Sequence, residues 1–194
     1  EFSKEIDKDF LLDEIDQLIE SVQEGANRTT ENVGELRNFS RLDDDAVKFV
    51  DLHTGLDSTL MLLKNKISNR IRIIKNYGDI PEVQCLPGKI NQVFVNILSN
   101  GIQAMENEIG ENMITITTYQ EGENVKVSIK DNGHGMSPEI QNKIFDPFFS
   151  TKDKGSGLGI SIVRNIIEGH KGSILIESKD GLGTKVFMKL PKRG

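Results

Sequence analysis

The stretch on which the fold turns is Val125-Lys126-Val127-Ser128-Ile129-Lys130-Asp131-Asn132-Gly133-His134-Gly135-Met136. Val125, Val127 and Ile129 alternate with polar residues, which predicts a strand over 125–130 with one buried face. The strand runs into Asp-x-Gly-x-Gly. A carboxylate is held at the end of the strand, and the backbone beyond it can bend sharply and approach a flat ligand closely. Taken alone, the same residues also describe a turn with two glycines. Just upstream, Glu121-Gly122-Glu123-Asn124 reads as a hairpin turn from a strand over 114–119. Farther upstream, Pro87-Gly88 opens a helix to about residue 105, with Ile90, Val93, Phe94, Ile97 and Leu98 on its apolar side. Asp51 reads as the N-cap of a helix to about residue 67, and residues 71–75 read as a strand. Downstream come a loop over 145–157, a helix over about 157–168, and strands over 173–178 and 184–190 joined at Asp180-Gly181. Helices mixed with antiparallel strand pairs make this an α+β chain. The expected form is an α/β sandwich: a mixed, mainly antiparallel sheet covered on one face by helices.

The first 40 residues differ. Leu11, Ile15, Leu18, Val22, Ala26, Thr29, Val33 and Leu36 fall three or four apart, on one face of a helix over about 4–38. Such a helix is about 50 Å long. It reads as one strand of a helical bundle or coiled coil, the alternative being a solvated helix docked on the remainder. Arg41-Leu42-Asp43-Asp44-Asp45 is a charged break. The expected domains are therefore 1–42 and 43–194.

Composition narrows the function. The chain has 194 residues and a formal net charge of −6, which argues against a nucleic-acid binder relying on phosphate neutralisation. The single Cys85 excludes an internal disulfide framework and a cysteine-based zinc site, and it fits a reducing compartment. Three scattered histidines speak against a histidine metal cluster. No run approaches the roughly 20 apolar residues of a membrane span. The chain begins Glu1-Phe2, as an excised piece of a longer protein would.

Four clusters carry chemistry. Asn96 and Asn100 lie one helical turn apart on the polar side of the Pro87 helix, where amide oxygens can ligate a hard cation; a simple surface pair would look alike. Asp131 heads the glycine turn. Gly155-Ser156-Gly157-Leu158-Gly159 precedes a helix, leaving amide N–H groups free to face an anion. It is not a Rossmann fingerprint, since no strand feeds it, and no Gly-Lys-Ser/Thr follows as in a Walker loop. Gly181-Leu182-Gly183-Thr184 sits in the last hairpin.

In order, Asn-x-x-x-Asn, Asp-x-Gly-x-Gly, Phe145-Asp146-Pro147-Phe148-Phe149, Gly-x-Gly-x-Gly and Gly-x-Gly-Thr resemble the N, G1, F, G2 and G3 boxes of sensor histidine kinases. The region 43–194 thus resembles the ATP-binding module, of Bergerat type, shared by gyrase, heat-shock chaperones, histidine kinases and mismatch-repair ATPases. Val33-Gly34-Glu35-Leu36-Arg37-Asn38-Phe39-Ser40-Arg41 resembles the end of the second helix of the dimerisation and phosphoacceptor domain. The resemblance implies that the acceptor histidine lies upstream, and that His53, His134 and His170 are not acceptors.

The resemblance also implies roles. Asp131 accepts a hydrogen bond from the adenine amino group, and the Thr184 hydroxyl supports that contact. Gly133, Gly135 and Met136 line the base. Asn100 ligates Mg2+, with Asn96 beside it in the catalytic set. Residues 146–156 form a nucleotide lid anchored by Phe145, Phe148 and Phe149. Lys152 and Lys154 reach phosphates, as do Gly155, Gly157, Leu158 and Gly159; Lys143 and Arg164 are weaker candidates. Two departures stand out. Hydrolytic relatives carry a glutamate base where this chain has Asn96, and an amide cannot take a proton from water. Some kinases carry a cation where this chain has Gln103. The implied activity is ATP-dependent phosphorylation of a histidine, for relay to a response-regulator receiver domain. The implied partners are that domain, the upstream phosphoacceptor helix and a second copy in the full-length kinase. Nucleic acid is not among them. The implied location is cytoplasmic, the parent being anchored in a bacterial inner membrane through segments outside this chain. A serine kinase of anti-sigma type would not need the long helix over 4–38. A non-catalytic interaction module would not need Asn100, Asp131 and three glycine boxes together.

Overall fold

In a computed structural model the chain divides into two units, Glu1–Arg41 and Leu42–Gly194. The described residues are 46–67, 69–106, 110–151 and 155–193, all in the second unit. The long helix over 4–38 and the boundary at 42/43 lie outside them. So do Lys152 and Lys154.

The elements run β1 (Lys48–Val50), α1 (Leu52–Leu62), β2 (Ile71–Tyr77), β3 (Val83–Cys85), α2 (Pro87–Gln103), β4 (Asn112–Glu121), β5 (Asn124–Asp131), α3 (Pro138–Lys143), α4 (Gly159–Gly169), β6 (Ser173–Lys179) and β7 (Gly183–Pro191). Five strands form one sheet in the order β2-β4-β5-β7-β6. β2 and β4 are parallel, with the crossover through β3 and α2, and the other three pairings are antiparallel. β1 and β3 make a separate antiparallel pair.

Alternation decides the layers. Ile114 and Ile116 on β4, Val125, Val127 and Ile129 on β5, and Val186, Met188 and Leu190 on β7 are buried. All point to one face of the sheet. There they meet Leu52, Leu56 and Leu60 of α1, Ile90, Val93, Phe94, Ile97 and Leu98 of α2, and Val163 and Ile167 of α4 in a single core. The mixed, mainly antiparallel sheet with helices on one face is therefore the observed architecture.

Some boundaries differ from the sequence reading. α1 stops at Leu62, short of residue 67, and leaves Met61 and Leu62 exposed. Lys64-Asn65-Lys66 offers no apolar face to continue it. Asp51 does cap this helix, accepting from the His53 amide at 2.9 Å. β1 and β3, three residues each, are too short for periodicity to reveal. α3 begins at a signal the sequence reading left unused: Ser137 caps it and Pro138 opens it.

Candidate functional site

Asp131 is the last residue of β5 and points to the core face, where it is 7% exposed. Its Oδ1 accepts two backbone N–H groups, from Gly133 at 3.0 Å and from Thr184 at 3.2 Å. Oδ2 is the oxygen on the side of Gly101 of α2, where a Cβ would come within 3.6 Å of it. Burial pushes the carboxyl above its ordinary range. The amides of Gly133 and Thr184 pull the other way without cancelling the shift.

The glycine turn is wedged between α2 and the β6–β7 hairpin. His134 N–H donates to Ala104 at 3.1 Å, and Gly181 N–H donates to the His134 carbonyl at 2.7 Å. Gly135 has φ +69°, and a Cβ there would sit 2.0 Å from the Lys179 carbonyl oxygen. Gly183 has φ +87°, and its Cβ would sit 2.2 Å from the Asp131 carbonyl oxygen. Neither position admits a side chain without displacing backbone. The His134 ring is turned onto its own neighbour, with Nδ1 donating to the Gly135 carbonyl at 2.7 Å.

Thr184 reaches Asp131 through its amide rather than its hydroxyl. Ser178 Oγ donates its one proton to the Gly183 carbonyl at 3.0 Å, so the Thr184 hydroxyl, 2.8 Å away, donates to Ser178. The sequence reading placed that hydroxyl behind the adenine contact; its remaining lone pairs are what it can still offer there.

On α2, the Asn96 amide donates to the Gly159 carbonyl at 3.3 Å, linking the asparagine pair to the start of α4. Asn100 follows one turn later and is half-buried. α4 begins at Gly159 after Leu158, which makes no side-chain cap. The first-turn amides of α4 are therefore not served by a capping side chain, the condition under which a helix start binds anions. Gly157, φ +69°, lies against the Phe148 backbone, where a Cβ would be 2.3 Å from the Phe148 carbonyl carbon. Phe148 itself has φ +67° and is 77% exposed, while Phe145 and Phe149 are half-buried. Arg164 has contacts at Phe145 and on its own helix. Its guanidinium lies 5.0 Å over the Phe145 ring and donates to Glu168 at 2.9 Å.

Several supporting residues escaped the sequence reading. Gln141 of α3 donates from one nitrogen to the Met136 carbonyl at 3.1 Å and to the Ser178 carbonyl at 2.8 Å. It thus pins the glycine turn to β6. Asn132 accepts from Met113 at 2.7 Å and donates to Glu111 at 2.8 Å, fixing the turn to the start of β4. No spacing rule signals such side chain-to-backbone ties. Only Ser178, two residues before Asp180-Gly181, had a local cue, as a turn-flanking hydroxyl.

Among the described residues no group of three or more His, Cys, Asp and Glu could hold a metal ion. Mg2+ does not require one, because it is bound by one or two protein oxygens plus substrate phosphates and water. The Asn100 amide oxygen suits that donor set. No helix among the described residues is long and apolar enough to cross a membrane.

Proteins of known family resemble this chain over much of its length. Residues 86–194 match the family described as histidine kinase-, DNA gyrase B- and HSP90-like ATPases. The chain is 34% identical over 182 residues to the sensor histidine kinase ZraS of Escherichia coli (strain K12), covering 92% of this chain and 38% of ZraS. It is 39% identical over 115 residues to sporulation kinase E of Bacillus subtilis (strain 168), covering 59% and 15% of the two chains. The chain thus spans less than two fifths of these relatives. Among solved structures, the catalytic domain of histidine kinase ThkA superposes with a TM-score of 0.68 at 31% identity, covering 77% of this chain and 99% of that one.

Proposed function

The chain belongs to the histidine kinase-, DNA gyrase B- and HSP90-like ATPases, as the ATP-binding catalytic domain of a two-component histidine kinase, and from that premise we propose how its own residues work. Asp131 reads adenine. Its Oδ1 is occupied by two amides, which leaves Oδ2 to accept the adenine amino group. This is the observation that carries the reading. A carboxylate only accepts, so it suits the amino donor of adenine and opposes the carbonyl acceptor of guanine. Gly133, Gly135 and Met136 bring backbone up to the base. The amides of Gly155, Gly157, Leu158 and Gly159, at the start of α4, receive phosphate oxygens, joined by Lys152 and Lys154. Phe145 and Phe149 anchor the loop between.

Asn100 holds Mg2+ by its amide oxygen, and the ion when bound neutralises charge on the phosphates. Asn96 sits beside it and cannot serve as a base toward water, so hydrolysis is slow and the γ-phosphoryl group goes instead to a side chain. The acceptor we propose is a histidine on a helix upstream of this chain, in a homodimeric kinase, with relay to the aspartate of a receiver domain. This unit works in the cytoplasm, and any inner-membrane anchor of the parent lies in segments beyond it.

Calorimetric titration tests the base reading. With Mg2+ present, ATP and ADP bind and GTP does not; equal affinity for GTP would overturn the role of Asp131. Incubation with γ-labelled ATP tests the acceptor. The chain alone stays unlabelled, and acid-labile label appears once a piece bearing the upstream helix is added. Stoichiometric acid-labile label on this chain alone would make one of its three histidines the acceptor.

A further inference from the structure

Helices α2 and α4 pack together through apolar side chains. Ile90, Val93 and Ile97 on one side and Val163, Ile166 and Ile167 on the other all join the core. Apolar contact is non-directional and does not by itself fix how far one helix is slid along another. Two hydrogen bonds do. Toward the start of α4, Asn96 donates to the Gly159 carbonyl at 3.3 Å. At its end, the Leu86 N–H, just before α2, donates to His170 Nε2 at 3.0 Å. His170 is also the residue that caps α4, and its Nδ1 lies 2.7 Å from the Ile166 carbonyl.

These partners fix the ring chemically. Leu86 N–H can only donate, so Nε2 carries no proton. The Ile166 carbonyl can only accept, so Nδ1 carries one. A cap for the last turn of α4 needs a donor alone, which lysine, arginine or asparagine supplies. A side chain that both donates to α4 and accepts from the entry of α2 is a narrower requirement, and neutral imidazole meets it.

We infer that His170 is a positioning residue of the nucleotide site: it sets the register of α4 against α2, and so where the first-turn amides of α4 stand relative to Asn100. The inference rests on the reading above that phosphates lie against that turn. His170 does not touch the nucleotide, because Gly159 is about 16 Å away along the helix axis. A slip of α4 by one residue would move its leading amides by about 1.5 Å, half the length of the hydrogen bonds they would make.

The test compares His170→Leu and His170→Gln with wild type in the full 194-residue chain. Three quantities are read: the dissociation constant for Mg·ATP, the amide NMR signals of Gly159, Ile160 and Ser161 without nucleotide, and the nitrogen shifts of the His170 ring. His170→Leu weakens Mg·ATP about tenfold and moves the three amide signals, as expected for losing a part-buried hydrogen bond that holds the helix in place. His170→Gln keeps an acceptor for Leu86 and restores both to near wild type. A purely structural role would lower the unfolding midpoint yet leave affinity and amide signals of the folded protein unchanged, and that result would overturn the inference. So would a protonated Nε2 in the wild-type ring at neutral pH. If His170→Leu does not fold, the ring nitrogens and the glutamine variant decide: affinity as poor as that of an Asn96→Ala chain, or displaced amides, would refute the acceptor role. If wild type itself fails to bind Mg·ATP, the nucleotide reading falls, while the amide signals still decide whether His170 places α4.

Discussion

Asp131 is held on one oxygen by the amides of Gly133, two residues on, and of Thr184 in β7, whereas Gly157 and Phe148 meet by close backbone approach. Around Asp131 the contacts are directional: Thr184 to the carboxylate, Ser178 to Gly183, Gln141 to two carbonyls, Asn132 to the Met113 amide and the Glu111 carbonyl. Around Phe148 the features are a left-handed backbone at Phe148, another at Gly157, and an aromatic side chain facing solvent. Under the proposed function the contrast is between an end that discriminates and an end that lets a phosphate chain in and out. Discrimination between bases needs an acceptor fixed before the ligand arrives. Phosphate capture needs many weak, similar N–H donors and a loop free to rearrange around them.

Four variants sharpen or break that contrast. Gly183→Ala should have the largest effect. Its Cβ would collide with the Asp131 carbonyl at a left-handed φ, costing about 3 kcal/mol of stability or more. Urea unfolding should show this together with lost ATP binding, and a wild-type midpoint would mean the hairpin is looser than described. Asp131→Asn comes next. It keeps an oxygen for Gly133 and Thr184 but puts an NH2 where adenine brings a donor. ATP affinity should fall by about 1.5–3 kcal/mol, the worth of a charge-assisted hydrogen bond, with preference over GTP narrowed. Calorimetry with both nucleotides decides.

The same variant makes a pH prediction. The Asp131 carboxyl is raised by burial, so the folded state holds its proton more tightly than the unfolded chain does. That stabilisation is fully present below the unfolded carboxylate value, about 3.9, and is lost as pH rises through the higher folded value. Without nucleotide, Asp131→Asn should therefore gain stability relative to wild type as pH is raised from about 4 to 7. A pH-independent difference in unfolding free energy would contradict this. Asn100→Ala should abolish Mg2+-dependent tightening of ATP binding and leave weak, metal-free ADP binding. An unchanged Mg2+ response would remove Asn100 from the metal site. Phe148→Gly should do least. It relieves a left-handed phenylalanine whose ring buries little, adding up to about 1 kcal/mol to stability while leaving discrimination between ATP and GTP untouched. A change in that discrimination would mean the two ends are not separable.

Much of this was legible beforehand. Alternation in Val125, Val127 and Ile129 places Asp131 on the core face, because the period of two leaves it no other side. Pro87 and the stripe through Ile90, Val93 and Ile97 fix α2 and put Asn96 and Asn100 on its polar flank. The three-residue strands β1 and β3 stayed hidden because three residues carry no period. The parallel pairing of β2 with β4 is a long-range choice no local pattern encodes. Within the site, residue types at the glycine boxes could be read, but the ties from Gln141 to Ser178 and from Asn132 to Met113 and Glu111 could not, since each joins a side chain to a backbone group 19 to 37 residues away. Thr184 shows the limit most clearly: its position was readable, while which of its donors meets Asp131 was not.

The strand order β2-β4-β5-β7-β6 has a consequence for the chain as it is made. β7 follows the other described strands in sequence, yet it is seated between β5 and β6. While the ribosome is still adding Gly183–Pro191, β6 has no place in the sheet, β5 has an open edge, and Asp131 lacks its partner on Thr184. A chain lacking Gly183–Pro191 would therefore leave β6 unpaired and Asp131 without the Thr184 amide, so the adenine contact proposed for Asp131 depends on the strand that closes the sheet.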